Sequence, residues 1–330
     1  MRFLVIGLGS MGKRRIRCLK HLGYAQITGF DTREDRRSEA QRLYSVHTVN
    51  DLSQVELSGF DAFVVSTPPD LHAKYAKIAI DYGKPAFVEA SVILQDTLEL
   101  QGHNKRGVFL APSCTLLFHQ AVKEISGLIR SRTLGSPVNY SFHSGQYLPD
   151  WHPWENIKDF YVSKRATGGA REIVPFELTW ICHLFGVPQE VKGVFRKTSD
   201  LGVDIEDTYS FVAVHKGGVI GNVMVDVVSR FGTRSLLINF ERGQIRWNWE
   251  DDFVSIFESK EGGWKRVGLD AKISAEGYNQ NISERMYIEE ISNFIEGIRT
   301  PERYLNSLDR DIAILKVLDK IESSDGGAAR

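Results

Sequence analysis

Hydrophobic and polar positions follow two different patterns, one after the other, along this chain. Over the first third, short apolar runs are separated by amphipathic or polar stretches, a pattern typical of strands that alternate with helices. The apolar runs are residues 1–6, 26–30, 46–49, 61–66, 86–89 and 108–111, and the predicted helices are residues 13–22, 34–44 and 71–82. Strands spaced in this way by helices form a parallel, doubly wound sheet with right-handed crossovers.

After about residue 118 the pattern changes, and most of the predicted elements are strands. A predicted helix at 121–132 precedes apolar alternation at 138–146, 190–197, 208–215, 219–229, 235–241, 244–249 and 253–258, and helices at 284–299 and 307–322 close the chain. Hairpin signals at 216–218 and 242–243 make this second sheet largely antiparallel. We therefore predict two domains, residues 1–118 and 119–330, the second an α/β domain with a large, mostly antiparallel open sheet.

One face of the second sheet has no predicted helix to cover it. We expect this face to be apolar and to join copies of the chain into a homodimer or homotetramer. The alternating residues that suggest it are Val219, Val223, Val225, Val227, Leu236, Ile238 and Phe240.

The turn after the first strand contains the most specific functional motif of the sequence. It spells Gly7-Leu8-Gly9-Ser10-Met11-Gly12 and runs directly into a predicted helix. In a dinucleotide-binding turn Gly7 permits the tight bend, Gly9 lets a pyrophosphate approach the backbone, and Gly12 lets helix and strand pack closely. Free N–H groups at the helix N-terminus attract the phosphates. The motif predicts a Rossmann domain whose cofactor site includes Gly7, Gly9, Ser10, Met11 and Gly12.

A carboxylate stands where such a domain binds the ribose. The second predicted strand ends in Asp31, about twenty residues after the glycine turn. A carboxylate that binds the ribose 2′-hydroxyl repels the extra phosphate of NADP, so the sequence favours NAD. NADP is the alternative, because Arg33, two residues after Asp31, could bind the additional 2′-phosphate.

Composition excludes several other classes of protein. Forty-one basic and 42 acidic residues are spread evenly along 330 residues, so no surface for nucleic acid is predicted. No apolar run approaches the ~18 residues of a membrane span, and we expect no signal peptide. Three scattered cysteines and nine histidines without paired spacing predict neither disulfides nor a metal site. We expect a cytoplasmic enzyme.

Several segments resemble the Gfo/Idh/MocA family of nicotinamide-dependent sugar oxidoreductases, in order and over nearly the whole chain. Residues 66–72, Ser-Thr-Pro-Pro-Asp-Leu-His, resemble the family's Thr-Pro-x-x-x-His segment, and residues 83–89 resemble its Gly-Lys-His-Val-Phe-x-Glu strand. Residues 115–121 stand where the family has an Arg-Phe-x-Pro helix start, and Gly168-Gly169-Ala170 matches the glycine run before its catalytic helix. The resemblance implies hydride transfer between NAD or NADP and a sugar, cyclitol or sugar nucleotide.

The resemblance also implies further cofactor contacts. These are Thr67, Pro68, His72 and Glu89, which edge the cofactor crevice in addition to the glycine turn and Asp31. For Glu89 the alternative is a buried strand-end acid with a structural partner.

Two catalytic signatures of the family are altered. Where the family has Glu-Lys-Pro, with the lysine between nicotinamide and substrate, this chain has Glu89-Ala90-Ser91. Alanine can neither hold a proton nor polarise a hydroxyl. Where the family has a histidine base on a helix, this chain has Phe176 or Glu177.

Another group must therefore take the hydroxyl proton. A carboxyl group can do so when an apolar environment raises its pKa toward neutrality. Glu177, flanked by Phe176 and Trp180, and Glu172 are the candidates, and His152 is a third. The structural alternatives are an ion pair of either glutamate with Arg171 or Lys164, and a structural role for the histidine.

Aromatic and polar side chains between residues 146 and 164 form the predicted substrate site. Sugar sites combine flat apolar faces with groups that hydrogen-bond hydroxyls. The candidates are Tyr147, Asp150, Trp151, Tyr161 and Lys164. The alternative is that the tryptophans fill a protein core.

Three functions fit these observations. The first is an NAD(H)-dependent oxidoreductase of a carbohydrate with atypical acid/base residues. The second is an NAD-bound sensor or regulatory protein without catalysis. The third is nonredox chemistry, such as elimination or epimerisation, in which NAD is reduced only transiently.

Overall fold

A computed structural model of the chain describes residues 1–151, 155–270 and 283–325. Its long helices are α1 (Ser10–His21), α2 (Glu34–Tyr44), α3 (His72–Asp81), α4 (Leu94–His103), α5 (Gln120–Ser131), α6 (Ala170–Phe185), α7 (Glu284–Arg299) and α8 (Leu308–Ser324). Its strands are β1 (Phe3–Ile6), β2 (Ile27–Phe30), β3 (His47–Val49), β4 (Ala62–Val65), β5 (Ala86–Val88), β6 (Leu110–Pro112), β7 (Pro137–Tyr147), β8 (Glu190–Arg196), β9 (Thr208–Val214), β10 (Ile220–Asp226), β11 (Val228–Phe240), β12 (Gly243–Asn248), β13 (Phe253–Glu258) and β14 (Gly263–Gly268). The chain forms two compact units.

The first unit contains the predicted doubly wound sheet. Its six strands are all parallel and lie in the order β3-β2-β1-β4-β5-β6, which confirms the Rossmann architecture. Strands β1 and β4 are buried along their whole length, as expected of strands covered by helices on both faces. The sequence pattern did not predict α4, whose apolar positions are few.

The first unit extends beyond the predicted boundary. It comprises residues 1–115 together with 283–312, whereas the sequence placed all residues after 118 in the second domain. Helix α7 packs on α1 because Glu290, fully buried on α7, pairs with the buried Arg15 of α1 at 2.7 Å.

The second unit, residues 116–270 and 313–325, contains an eight-stranded sheet. Its order is β14-β13-β12-β11-β7-β10-β9-β8, and every neighbouring pair is antiparallel except β7 and β10. This confirms the mostly antiparallel sheet. Two details differ from the prediction: β10 ends at Asp226 so that a single long β11 follows from Val228, and β14 was not predicted.

The sheet face chosen for oligomer contacts is the covered one. Val223 and Leu236 both lie opposite Phe142 in register, and the Phe142 ring packs edge-on against Trp180 of α6, with centroids 5.1 Å apart. Val225, Val227 and Ile238 are fully buried as well. The prediction was wrong for these residues because alternation separates the two faces of a strand without showing which face a helix covers.

The opposite face of the same sheet carries its own apolar side chains. They are exposed by between 42 and 50 % of their surface, and they are Val194, Val212, Ile220 and Met224. Within the described ranges, no helix is long and apolar enough to cross a membrane.

Candidate functional site

The glycine turn leaves the N-terminus of α1 open. The helix starts after Gly9 with no side-chain cap and no acidic residue in its first turn. Gly7 has a φ of +91°, and a Cβ at Gly7 or Gly12 would overlap backbone atoms of Ser66 or Gly7. At Gly9 a Cβ would meet nothing closer than Arg36 Nη1 at 3.5 Å. The protein's own packing therefore requires Gly7 and Gly12 but not Gly9, so the backbone at Gly9 is open to close approach.

Asp31 is tied to this turn. Its Oδ2 accepts a hydrogen bond of 2.8 Å from the Leu8 N–H, and its Oδ1 accepts one of 2.9 Å from the Arg33 N–H. The Arg33 guanidinium pairs with Asp35, and Arg36 Nη1 lies 3.9 Å from Asp31 Oδ2. Two backbone donors thus fix the carboxylate beside the glycine turn.

Thr67 and His72 shape the turn after β4. His72 Nε2 lies 2.8 Å from the Thr67 carbonyl oxygen, and burial lowers the pKa of this imidazole, so neutral His72 donates to that oxygen. Thr67 Oγ1 is buried and has no hydrogen-bond partner among the described residues. His72 therefore holds the backbone of the loop at Thr67, while Thr67 keeps a free hydroxyl. Pro68 precedes the short helical turn Pro69–Leu71.

Glu89 is held by Arg15 of α1. Arg15 donates from Nε to Oε1 at 2.7 Å and from Nη2 to Oε2 at 2.8 Å, and Ser66 Oγ donates at 3.1 Å. Arg15 is fully buried above the Phe87 ring. Arg14 and Arg15 also pair with carboxylates of α7, Glu284 and Glu290, which lie about 270 residues away in the chain.

Glu177 lies in a closed structural ion pair. Arg234 Nη2 and Nε donate to its Oε1 at 2.6 and 3.0 Å, Ser144 Oγ donates to the same oxygen, and Trp180 Nε1 donates to Oε2 at 2.7 Å. The side chain is fully buried. The partner is Arg234 on β11, not Arg171 or Lys164 as the sequence suggested.

Glu172 has a different environment. Tyr161 Oη donates to its Oε1 at 2.7 Å, whereas its Oε2 is buried without a partner in the part of the chain that the structure describes. Burial raises the pKa of this carboxyl group to about 7, an effect that the Tyr161 hydrogen bond only partly opposes. Glu172 is therefore a proton acceptor and donor suited to neutral pH.

Two glycines bring Tyr161 to Glu172. A Cβ at Gly168 would overlap the backbone of Val162, and Gly169, with a φ of +63°, starts α6. The short turn Tyr161–Ser163 therefore packs directly against the first turn of the helix. The family glycine run thus has a local structural purpose here.

The other predicted substrate residues are spread over the same segment. Tyr147 ends β7 with the Arg230 guanidinium 3.7 Å above its ring, and Asp150 is exposed. Trp151 is half-buried, and its Nε1 has no partner among described residues. Lys164 is exposed three residues after Tyr161. His152 lies outside the described residues.

No group of three or more His, Cys, Asp or Glu side chains that could hold a metal ion occurs within residues 1–151, 155–270 and 283–325. The described chain combines an uncapped helix N-terminus after the glycine turn, in the first unit, with a hydrogen bond from Tyr161 to Glu172, in the second.

Family models match both parts of the chain. Residues 1–100 match the model described as oxidoreductase family, NAD-binding Rossmann fold, of Gfo/Idh/MocA proteins. Residues 122–246 match the model of a Gfo/Idh/MocA C-terminal domain. The two matches together span more than half of the chain. Among curated proteins, none matches significantly.

Solved structures share the whole fold. An oxidoreductase from Agrobacterium radiobacter, crystallised with NAD+, L-tartaric acid and magnesium, is 14% identical with a TM-score of 0.86, covering 100% of this chain and 97% of that one. Levoglucosan dehydrogenase in complex with NADH is 16% identical with a TM-score of 0.84, covering 98% and 96%. UDP-N-acetylglucosamine 3-dehydrogenase from Acidithiobacillus ferrooxidans is 16% identical with a TM-score of 0.78, covering 98% and 97%. At these identities the likeness concerns the fold.

Proposed function

Because the chain belongs to the Gfo/Idh/MocA family of oxidoreductases and begins with its NAD-binding Rossmann domain, we propose that it oxidises or reduces a carbohydrate. The reacting group is a hydroxyl or keto group of a sugar, cyclitol or sugar nucleotide. Two structural neighbours, levoglucosan dehydrogenase and UDP-N-acetylglucosamine 3-dehydrogenase, act on compounds of this class and support the proposal.

The residues of the first unit fit the cofactor. The open N-terminus of α1 suits the pyrophosphate, Gly9 leaves room for its approach, and Asp31 suits the ribose hydroxyl, which favours NAD over NADP. Thr67 offers a further hydroxyl without a protein partner among the described residues. When bound, NAD supplies the acceptor or donor of the hydride.

We assign the proton to Glu172. The observation that carries this assignment is its buried Oε2, which has no partner in the described chain, on a carboxyl group whose pKa is raised to about 7. In the oxidative direction ionised Glu172 accepts the hydroxyl proton on Oε2, and in the reductive direction it returns the proton to the keto oxygen. Tyr161 orients the carboxyl group through Oε1. Both oxygens of Glu177 are already occupied by donors, so that residue has a structural role.

His152 remains a predicted alternative base. The other predicted substrate contacts remain predictions; they are Tyr147, Asp150, Trp151 and Lys164. Tyr161, also a predicted substrate contact, acts here through its hydrogen bond to Glu172. The family resemblance places the general base at Phe176 or Glu177, and in this chain Glu177 is paired with Arg234. Because that pair leaves no base at this position, it favours the second candidate function, an NAD-bound protein without catalysis.

The test is NADH formation from NAD+ with a panel of sugars, cyclitols and sugar nucleotides. We expect turnover with at least one compound, and a loss of about 100-fold or more in Glu172→Gln. Glu190→Gln, an exposed carboxylate on β8, is the matched control and should keep full activity. Full activity in Glu172→Gln would contradict the assignment of the proton.

If the unaltered protein binds NAD but turns over no compound, the result would support the second candidate function, an NAD-bound sensor or regulatory protein. Conversion of a substrate without net NADH would indicate transient reduction of the cofactor.

A further inference from the structure

The ion pair of the second unit satisfies Glu177 completely but uses only part of Arg234. The Arg234 guanidinium donates to Glu177 from Nε and Nη2. Arg15 holds Glu89 with the same two nitrogens, and it also donates from Nη1 to a second carboxylate at 2.7 Å. Arg234 Nη1 has no such partner in the part of the chain that the structure describes. Because a planar guanidinium offers more than one edge to carboxylates, Arg234 can bind a further anion through Nη1 and Nη2.

The surroundings of Arg234 hold its guanidinium in one position. Its Cζ lies 4.3 Å from the centre of the Trp249 ring, and the Trp249 N–H donates to the Arg234 carbonyl oxygen at 2.8 Å. The His119 ring stacks on the same indole, with centroids 4.9 Å apart. Only 8 % of the Arg234 side chain is exposed, and Nη1 is not one of the enclosed polar atoms without a partner, so Nη1 contributes to this exposed surface. A guanidinium fixed in this way loses little conformational freedom when it binds an anion.

Arg234 lies near the end of the sheet where the predicted substrate segment begins. In register it is opposite Ser144, and residues 147–164 follow directly from the end of the same strand, β7. Backbone hydrogen bonds bring the start of α6 to this end of the sheet. They run from Leu148 to Val227, from Val227 to Asp207 and from Ala170 to Glu206. Glu172, in the first turn of α6, therefore belongs to the same end of the second unit as Arg234.

We propose that Arg234 binds a carboxylate of the substrate, and that the carbohydrate is therefore an acidic sugar of the uronate or aldonate class. The proposal rests on the proposed function for the reaction, and it adds the group by which the substrate is recognised. The carboxylate accepts from Nη1 and from the second N–H of Nη2, as Glu290 accepts from Nη1 of Arg15. A neutral sugar offers only hydroxyl oxygens to these donors, so it forms no charge-assisted pair and binds more weakly.

Calorimetric titration of the full chain, with and without saturating NADH, tests this proposal with pairs of sugars. In each pair one carbon is a carboxylate in one compound and a hydroxymethyl group in the other. The pairs are glucuronate with glucose, galacturonate with galactose, and gluconate with glucitol. We expect at least one acid to bind about tenfold or more tightly than its neutral partner.

Arg234→Lys keeps a positive charge beside Glu177 but removes the planar fork, so the preference for the acid should fall below about threefold. Arg246→Lys is the matched control. Arg246 is also an arginine above a tryptophan ring, that of Trp264, but it is exposed on the opposite face of the sheet. This control should keep the full preference.

Replacement of both members of the pair, Arg234→Met with Glu177→Met, gives a second variant that leaves no member of the ion pair as an unpaired charge. It should bind NADH like the unaltered protein and lose the preference for acids. Equal affinity of the unaltered protein for acids and neutral partners, no binding of any of the three acids, or an unchanged preference in either variant would overturn the proposal.

The outcomes also separate this proposal from the proposed function. Binding of an acid without turnover, or without NADH binding, would contradict the proposed function and support the carboxylate site. Turnover of neutral sugars alone would support the proposed function and overturn the carboxylate site.

Discussion

Arg15 donates two parallel hydrogen bonds to Glu89, with its Nε and Nη2 at 2.7 and 2.8 Å from the two carboxylate oxygens. The third nitrogen, Nη1, donates to Glu290 at 2.7 Å. One buried cation thus connects the helix after the glycine turn, the end of β5 and helix α7. Glu290 also accepts from the backbone of Cys114 and from the hydroxyls of Ser113 and Thr115.

Replacement of Arg15 should destabilise the first unit strongly. Arg15→Met leaves two buried carboxylates without their cation, so we expect the free energy of unfolding to fall by about 3–5 kcal/mol. Urea denaturation followed by circular dichroism measures this. Lys20→Met, an exposed position on the same helix, should cost less than about 1 kcal/mol. A loss for Arg15→Met no larger than that of the control would show that the buried triad contributes little.

The glycine turn and the parallel sheet were predictable because their signals are local. Gly7, Gly9 and Gly12 fall within one turn, and Asp31 follows at the spacing that a single βαβ unit sets. The burial of Arg15 was not predictable, since Glu290 is 275 residues away in the chain. The same holds for Glu177, whose partner Arg234 lies on another element 57 residues on. From sequence spacing, Glu172 and Glu177 were equally good candidates. The structure distinguishes them, because Glu177 is fully paired through Arg234, whereas Glu172 Oε2 has no partner within the described part of the chain.

Glu177 should prove structural rather than catalytic. Glu177→Gln removes the negative charge beside the buried Arg234, so we expect a loss of about 3 kcal/mol in the free energy of unfolding. At a temperature where this variant is folded, kcat should fall less than tenfold, in contrast to Glu172→Gln. Steady-state kinetics and thermal denaturation of both variants measure the contrast. A kcat loss in Glu177→Gln as large as that in Glu172→Gln would assign Glu177 to the reaction.

Glu172 should govern the dependence of activity and stability on pH. Its pKa rises from an ordinary value of 4.5 to about 7 in the folded chain. Oxidation needs the ionised form, so kcat/KM for alcohol oxidation should increase with pH up to about 7 and then level off.

The raised pKa of Glu172 also makes the free energy of unfolding depend on pH in a defined direction. The carboxyl group is protonated in both states below pH 4.5 and ionised in both above about 7. Between these values the unfolded chain releases its proton first, so the contribution of Glu172 to the free energy of unfolding falls as pH rises, by about 3 kcal/mol in total. Glu172→Gln does not titrate and should gain stability relative to the unaltered protein across this window. A constant difference between pH 4.5 and 7 would contradict the raised pKa.

The exposed face of the second sheet should carry the contact between copies of the chain. Ile220 and Met224 lie on this face, at 50 and 42 % exposure. We expect the protein to be a dimer or tetramer in light scattering after size exclusion, and Ile220→Asp with Met224→Asp to dissociate it. Val187→Asp, an exposed apolar position outside the sheet, should leave the mass unchanged. A monomeric mass for the unaltered protein at micromolar concentration would contradict this prediction.

The most direct test of NAD binding by the glycine turn is calorimetric titration of Gly9→Asp with NAD+ and NADH. The structure leaves room for this side chain within the protein, so the variant should fold, but its carboxylate would meet the pyrophosphate at the N-terminus of α1. We expect the unaltered protein and Gly102→Asp, on α4 with open space around it, to bind both forms, and Gly9→Asp to bind neither measurably. Equal binding by Gly9→Asp and the unaltered protein, or no binding by the latter, would contradict the account.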